Sequence, residues 1–336
     1  MDKTTEQILR RRMHGLYLSR QCGDITRLSR EILGMHCWFH RNVAFSALIR
    51  GADLYGWKNA LTKTWLYRGT LHGVAFEELP KLLALHSDRD DSAFWWLGVG
   101  EEQLRDIADR VVSLMEDGVY SRAEMRRIFA RDYDDQAIGR LFSPWGGIFV
   151  YLARLGKVAF RDMTSRDFDL ISAEPAQTPE EVLPALLHRF FAAYGPATIA
   201  DAAWFFGFWK DDKKKLAGQN LEGLSRLEYN KNVYYYADDG ADMGDIPRLT
   251  LLSGFDPLIV SYVERGAVLP PEYKSAVIMK SGICLPTIAV DGQVAGLWNI
   301  KKGEAAVEFF AEQPKGIKDA AFEMADDIRR RTAGML

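Results

Sequence analysis

The sequence predicts an α+β protein assembled from repeated helix–hairpin units and finished by a β-rich segment. Three stretches each run an amphipathic helix into two β-rich segments joined by a short polar turn. Near residue 246 the texture changes to short apolar strands separated by glycine turns. Helix–hairpin units recurring at roughly 70–90 residues suggest three tandem winged helices. Their expected spans are 1–86, 87–178 and 179–244, with 245–336 as a small C-terminal β-barrel and closing helix.

The first helix–hairpin is "DLYGWKNALTKTWLYRGTLHGVAF", residues 53–76, with Gly69 at the bend. Two helices follow, "EQLRDIADRVVSLMEDG" and "SRAEMRRIFARD". The second opens on Ser121 with Glu124 three residues on, a capping-box spacing. In "GGIFVYLARLGKVAFRDMTSRDFDLIS", residues 146–172, Ile148, Leu152 and Leu155 have helical spacing. Gly156 ends that helix, "KVAFRD" and "FDLIS" are strands, and "MTSRD" turns between them. Further on, Thr198 is an N-cap candidate in "YGPATIADAAWFFG". The third helix–hairpin, residues 211–238, starts Lys-rich and returns as "SRLEYN" and "VYYYA". In the C-terminal segment "VDGQVAGLW" carries the Asp-Gly hairpin signal, and "GIKDAAFEMADDIRRRTAG" is the closing helix.

The 336 residues are 48% hydrophobic, which suits several packed cores. Three scattered cysteines, Cys22, Cys37 and Cys284, cannot make a disulfide framework. No apolar run approaches a membrane span, and the charged N-terminus lacks the apolar region of a secretory signal. The expectation is a reduced, cytoplasmic protein without a membrane partner. Net charge is −3, yet residues 1–85 carry 13 Lys+Arg against 7 Asp+Glu, a net of +6, leaving −9 for the rest. Such asymmetry marks either a partner-binding face or an ordinary solvated surface.

The densest chemistry lies in "EILGMHCWFHRN", residues 31–42. His36 and His40 stand at i, i+4, but no Glu follows His36 as in H-E-x-x-H and no third ligand is evident, so no metal is expected. In "WLYRGTLH" an unbroken strand would put Arg68, Thr70 and His72 on one polar face, suited to phosphate. Lys213, Lys214 and Lys215 open a candidate recognition helix or a solubilising face, and Asp256 in "GFDP" reads as a turn cap before Pro257.

"TWLYRGTLHGV", "LLSGFDPLIVSY" and "VDGQVAGLWNIKKG" resemble the AlkZ/YcaQ family of bacterial DNA glycosylases, in order and over nearly the whole chain. The resemblance implies tandem winged helices around a DNA channel and hydrolysis of the N-glycosidic bond of alkylated purines or interstrand crosslinks. It implies duplex DNA as partner and no cofactor. The family's catalytic motif is Gln-x-Gln; in the matching segment His36 stands at the first position and Trp38 at the second. A neutral His36 keeps an acceptor nitrogen for water, whereas Trp38 has only an N–H donor. The implied catalytic positions are therefore His36 and Trp38, and Arg41, Arg68, Thr70, His72, Lys213 and Lys214 are the expected DNA contacts. Three readings stand open: an active glycosylase with an altered motif, a non-catalytic DNA-damage binder or transcription-type regulator on the same scaffold, and a winged-helix protein–protein module, against which the basic first third weighs.

Overall fold

A computed structural model describes residues 1–208, 215–216, 218–238, 240 and 242–335. The chain is mixed α/β with antiparallel sheets, in two units: Met1–Trp57 with Pro184–Leu336, and Lys58–Leu183.

The first unit opens with α1 (Lys3–Gly15) and α2 (Ile25–Glu31), capped by Asp2 and Asp24, whose carboxylates accept from backbone N–H groups of the first turn. A two-residue strand, β1 (Met35–His36), leads to α3 (His40–Ile49), buried from Asn42 to Leu48. The short helix α4 (Trp57–Ala60) begins the passage into the second unit.

There the hairpin β2 (Thr62–Trp65) and β3 (Leu71–Val74) precedes α5 (Leu79–Ala84), α6 (Glu101–Glu116), α7 (Arg122–Phe129), α8 (Asp135–Leu141) and α9 (Ile148–Arg154). Ser121 caps α7 as expected, accepting from the Glu124 N–H. α6 buries Leu104, Ile107, Ala108, Val111 and Met115, one helical stripe. After α9 the chain turns at Gly156, φ +71°, into β4 (Val158–Phe160) and β5 (Phe168–Leu170). β2 pairs with both β3 and β4, so two hairpins expected in separate units share one antiparallel sheet. Phe149 of α9 stacks on Phe168 at 3.9 Å, and Trp65 packs beside Phe160 and Phe168.

α10 (Pro179–Tyr194) returns to the first unit, followed by α11 (Ile199–Phe206), which opens on a complete capping box between Thr198 and Asp201. β6 (Ser225–Tyr229) and β7 (Asn232–Tyr236) form the third hairpin, tight because Asn230 and Lys231 both take positive φ. Then come β8 (Leu249–Leu252), α12 (Pro257–Val260), α13 (Lys274–Val277), β9 (Thr287–Val290), β10 (Gln293–Lys301), β11 (Glu304–Phe309) and α14 (Lys315–Thr332). The Asp291–Gly292 turn joins β9 to β10 as its sequence predicts.

The expected C-terminal β-barrel is not what forms. β11-β10-β9-β8 is an open antiparallel sheet among the described residues, with β11 and β8 as its edges. Four strands are too few to close with filled interior layers, and α14 covers the sheet instead, burying Ile317, Ala321, Ala325 and Ile328. Trp298, 2% exposed, packs against Phe45 of α3 and donates its indole N–H to the Leu252 carbonyl at 2.9 Å.

Candidate active site on the first unit

α2 ends in a tight reversal, with Leu33 at φ +58° and Gly34 at φ +106°. The chain leaves it extended, so successive side chains alternate. Met35 and Cys37 are buried, while His36 is half-exposed. Trp38 is also half-exposed, and Phe39, 38% exposed, is the residue before α3. His36 and His40 are thus not a helical i, i+4 pair: one lies in a strand, the other opens a helix. Among the described residues no three His, Cys, Asp or Glu side chains group to hold a metal ion.

The His36 imidazole lies flat on Phe255, ring centroids 4.2 Å apart and planes 7° from parallel. Phe39 joins at 6.4 Å from Phe255, and the exposed Arg41 places its guanidinium 6.0 Å from the Phe39 ring. A face-to-face stack fixes a ring's plane and hence the direction of its in-plane nitrogens. Here the fixing partner is itself held from below.

Phe255 sits in the left-handed region, φ +56°, unusual for an aromatic residue, and its N–H donates to the Cys284 carbonyl at 3.1 Å. Asp256 accepts from the Ser253 and Leu258 N–H groups, from the Ser253 hydroxyl and from Arg50, whose Nη2 is 2.9 and 3.1 Å from its two oxygens. Arg50, at the C-terminus of α3, donates also to the Leu16 carbonyl and the Ser46 hydroxyl. Both charged side chains are fully buried. A Cβ on Gly254 would meet the Asn42 amide of α3 at 2.8 Å, so any larger residue there would have to push that side chain aside. The ion pair therefore ties the "GFDP" loop to α3, and with it Phe255 to His36. The sequence marks Asp256 as a cap, which it is; it carries no signal for Arg50, 206 residues away, or for Phe255.

In the second unit the expected stripe of Arg68, Thr70 and His72 does not form. Residues Tyr67–Gly69 make a 3-10 turn between β2 and β3, with Arg68 and Gly69 at φ +56° and +64°. Strand alternation ends at Trp65 and restarts at Leu71. Arg68 and Thr70 are half-exposed, and the Thr70 hydroxyl donates back to the Tyr67 carbonyl. His72 is 4% exposed, packs edge-on to Tyr67 at 5.2 Å, and shares a 3.0 Å hydrogen bond between Nδ1 and the Thr70 carbonyl. Burial first, and the Arg68 charge second, push its pKa down to about 3 against the pull of that carbonyl.

Lys213 and Lys214 lie outside the described residues. Part of the basic charge of residues 1–85 is turned inward or paired. Arg12, Arg50 and Lys63 are buried, while Arg10, Arg11 and Arg27 pair with Asp245, Asp238 and Glu31. Among the described residues no helix is long and apolar enough to cross a membrane.

Fold and candidate site define a mixed α/β protein whose strand-borne imidazole is held by an aromatic ring on a buried ion-pair clamp. The chain belongs to the DNA glycosylase AlkZ-like family, whose model matches residues 57–326. It is 27% identical over 282 residues to an "Interstrand DNA cross-link repair glycosylase" of Streptomyces sahachiroi, covering 75% of this chain and 74% of the relative. The solved structure of Streptomyces sahachiroi DNA glycosylase AlkZ shares the fold, with a TM-score of 0.77 and 24% identity over 99% of this chain and 98% of that one.

Proposed function

We propose that this protein hydrolyses the N-glycosidic bond of alkylated purines, crosslinked ones included, in double-stranded DNA, with His36 orienting the attacking water. The single observation that carries the reading is the partly buried His36 ring, fixed flat on Phe255, in the segment that the sequence resemblance aligns with the family's catalytic motif. A purine alkylated at N7 or N3 is cationic and leaves without being protonated, so the enzyme must place a water at the sugar carbon and stabilise an oxocarbenium-like state. An imidazole with a fixed plane accepts from that water along a fixed direction and can take its proton near neutral pH. Trp38 cannot accept from water; its ring can stack on a base or fill the space an extruded one vacates. The relative from Streptomyces sahachiroi, an interstrand DNA cross-link repair glycosylase, supports the crosslinked substrate.

In this reading residues 1–86, 87–178 and 179–244 are winged-helix units, each contributing one of the three hairpins, and 245–336 is the sheet with its covering helix. Arg41, Arg68, Thr70, Lys213 and Lys214 are the proposed phosphate contacts.

Trp38 favours a second reading, a non-catalytic damage binder, because it removes one of two acceptors. Base release from duplexes carrying N7-alkylguanine or an interstrand crosslink separates the two. Release by the wild type that His36→Ala abolishes, with duplex binding retained, is expected. Duplex binding without release, with release gained in Trp38→Gln, would give the second reading; neither binding nor release would sink both.

A further inference from the structure

A cavity of about 630 Å³ opens in the first unit and shares no lining residue with the His36 platform. Arg12 of α1, Asp201 at the start of α11, Tyr229, Asn232 and Tyr234 of the third hairpin, and Glu264 are on its wall. Arg12 is the unusual member. It is 3% exposed, its Nε donates to the Pro196 carbonyl at 2.9 Å, and its guanidinium lies 3.7 Å above the ring of the buried Tyr262. Among the described residues no carboxylate lies within ion-pair distance of it, and no hydrogen bond occupies its two terminal amino groups. Asp201 does not compete for them: its oxygens accept from the Thr198 N–H and hydroxyl and from the Val263 N–H, at 2.8–2.9 Å.

Buried guanidinium groups are ordinarily paired, because leaving their donors dry is expensive. This one is held flat by Tyr262 and by Pro196, and its unused donors belong to a side chain lining the cavity. That is a fork awaiting a two-oxygen anion, for which phosphate has the matching geometry. The volume lies in the range of small-molecule sites and far exceeds a phosphate. Tyrosine rings offer faces on which a base can stack, and the Asn232 amide can reach a base edge. Glu264 stands exposed at the rim, where its negative charge opposes an anion.

We propose that this cavity binds a nucleoside carrying a phosphate monoester, with Arg12 gripping the phosphate. The monoester can come from a free nucleotide or from the phosphorylated end of a strand.

Calorimetric titration of the full chain tests it independently of base release. The probes are dAMP, deoxyadenosine, and one short oligonucleotide with and without a 5′-phosphate. Each phosphorylated probe that binds is expected to exceed its unphosphorylated twin by about tenfold or more, the scale of a charge-assisted hydrogen bond. Binding of dAMP assigns a free nucleotide; binding of the phosphorylated oligonucleotide alone assigns a strand end. Arg12→Lys, which keeps the charge but loses the fork, should weaken binding about tenfold. Glu264→Lys, at an exposed position where folding is not at stake, should strengthen it. Equal affinity for phosphorylated and bare probes, no binding of either phosphorylated probe, or an unchanged affinity in Glu264→Lys would overturn the proposal and leave a hydrated pocket.

Discussion

His36 and His72 each sit on a short strand beside an aromatic ring, but His72 is sealed in the core whereas His36 is only partly buried. His36 lies parallel to Phe255 and is half-exposed, whereas His72 stands edge-on to Tyr67 and is 4% exposed. His72 Nδ1 is bonded to a backbone carbonyl, and its pKa is driven to about 3, so at any ordinary pH it is a neutral strut of the hairpin. The difference teaches that a histidine's chemistry is set by what faces its ring plane and by how much water remains. The residue type and its motif leave both undecided.

The comparison is broken most forcefully from beneath His36. Asp256→Ala leaves Arg50 charged, buried and unpaired, and should cost about 3–5 kcal/mol in the urea unfolding free energy. A loss below about 1 kcal/mol would mean that the pair does not hold the loop. His36→Ala should lower base release by at least about 100-fold, the scale of a general-base or water-orienting group, while duplex affinity stays within about twofold. A similar loss in His72→Gln with the fold intact would erase the distinction between the two residues.

Acid should act through His72. Its folded pKa lies below the unfolded value of 6.5, so the unfolded chain takes up the proton first as pH falls. Stability should therefore be full above about pH 6.5 and decline towards pH 3, by about 1.4 kcal/mol at the first full unit below 6.5. His72→Gln should flatten this segment of the stability–pH curve; an unchanged slope would place the lost protons elsewhere.

Phe255→Leu removes the stack while keeping an apolar side chain, at about 0.5–1.5 kcal/mol of stability. The His36 ring protons should then lose their ring-current shift in NMR, and Phe255→Tyr should restore both shift and base release. The smallest effects are expected at the two flanking arginines. Arg41→Ala and Arg68→Ala should each reduce the slope of log affinity against log salt by about one, alike for all duplex sequences. In Arg68→Ala the His72 pKa should also rise, since the Arg68 charge helps hold it down.

Much of the local architecture is legible in the sequence because short-range rules govern it. Thr198 with Asp201, Ser121 with Glu124, Gly156 after α9 and the Asp291–Gly292 turn all depend on neighbours within four residues. The reading of "WLYRGTLH" as one continuous face failed because two successive left-handed residues, Arg68 and Gly69, fold it into a turn; Gly69 at the bend was the correct signal. The basic surplus of the first 85 residues was not a guide to a free surface, since Arg12 and Arg50 turn inward and three further arginines find carboxylates.

By itself, the sequence determined most of the helices, the three hairpins and the β-rich C-terminal segment. These follow from periodicity, capping and turn chemistry, or from motifs short enough to recognise. Tertiary structure alone decided that the last four strands stay open under α14, that His72 is sealed from water, and that Arg50 meets Asp256 across 206 positions to set Phe255 against His36. Burial and long-range pairing depend on which distant segments share a core, and no local pattern of residues encodes that choice.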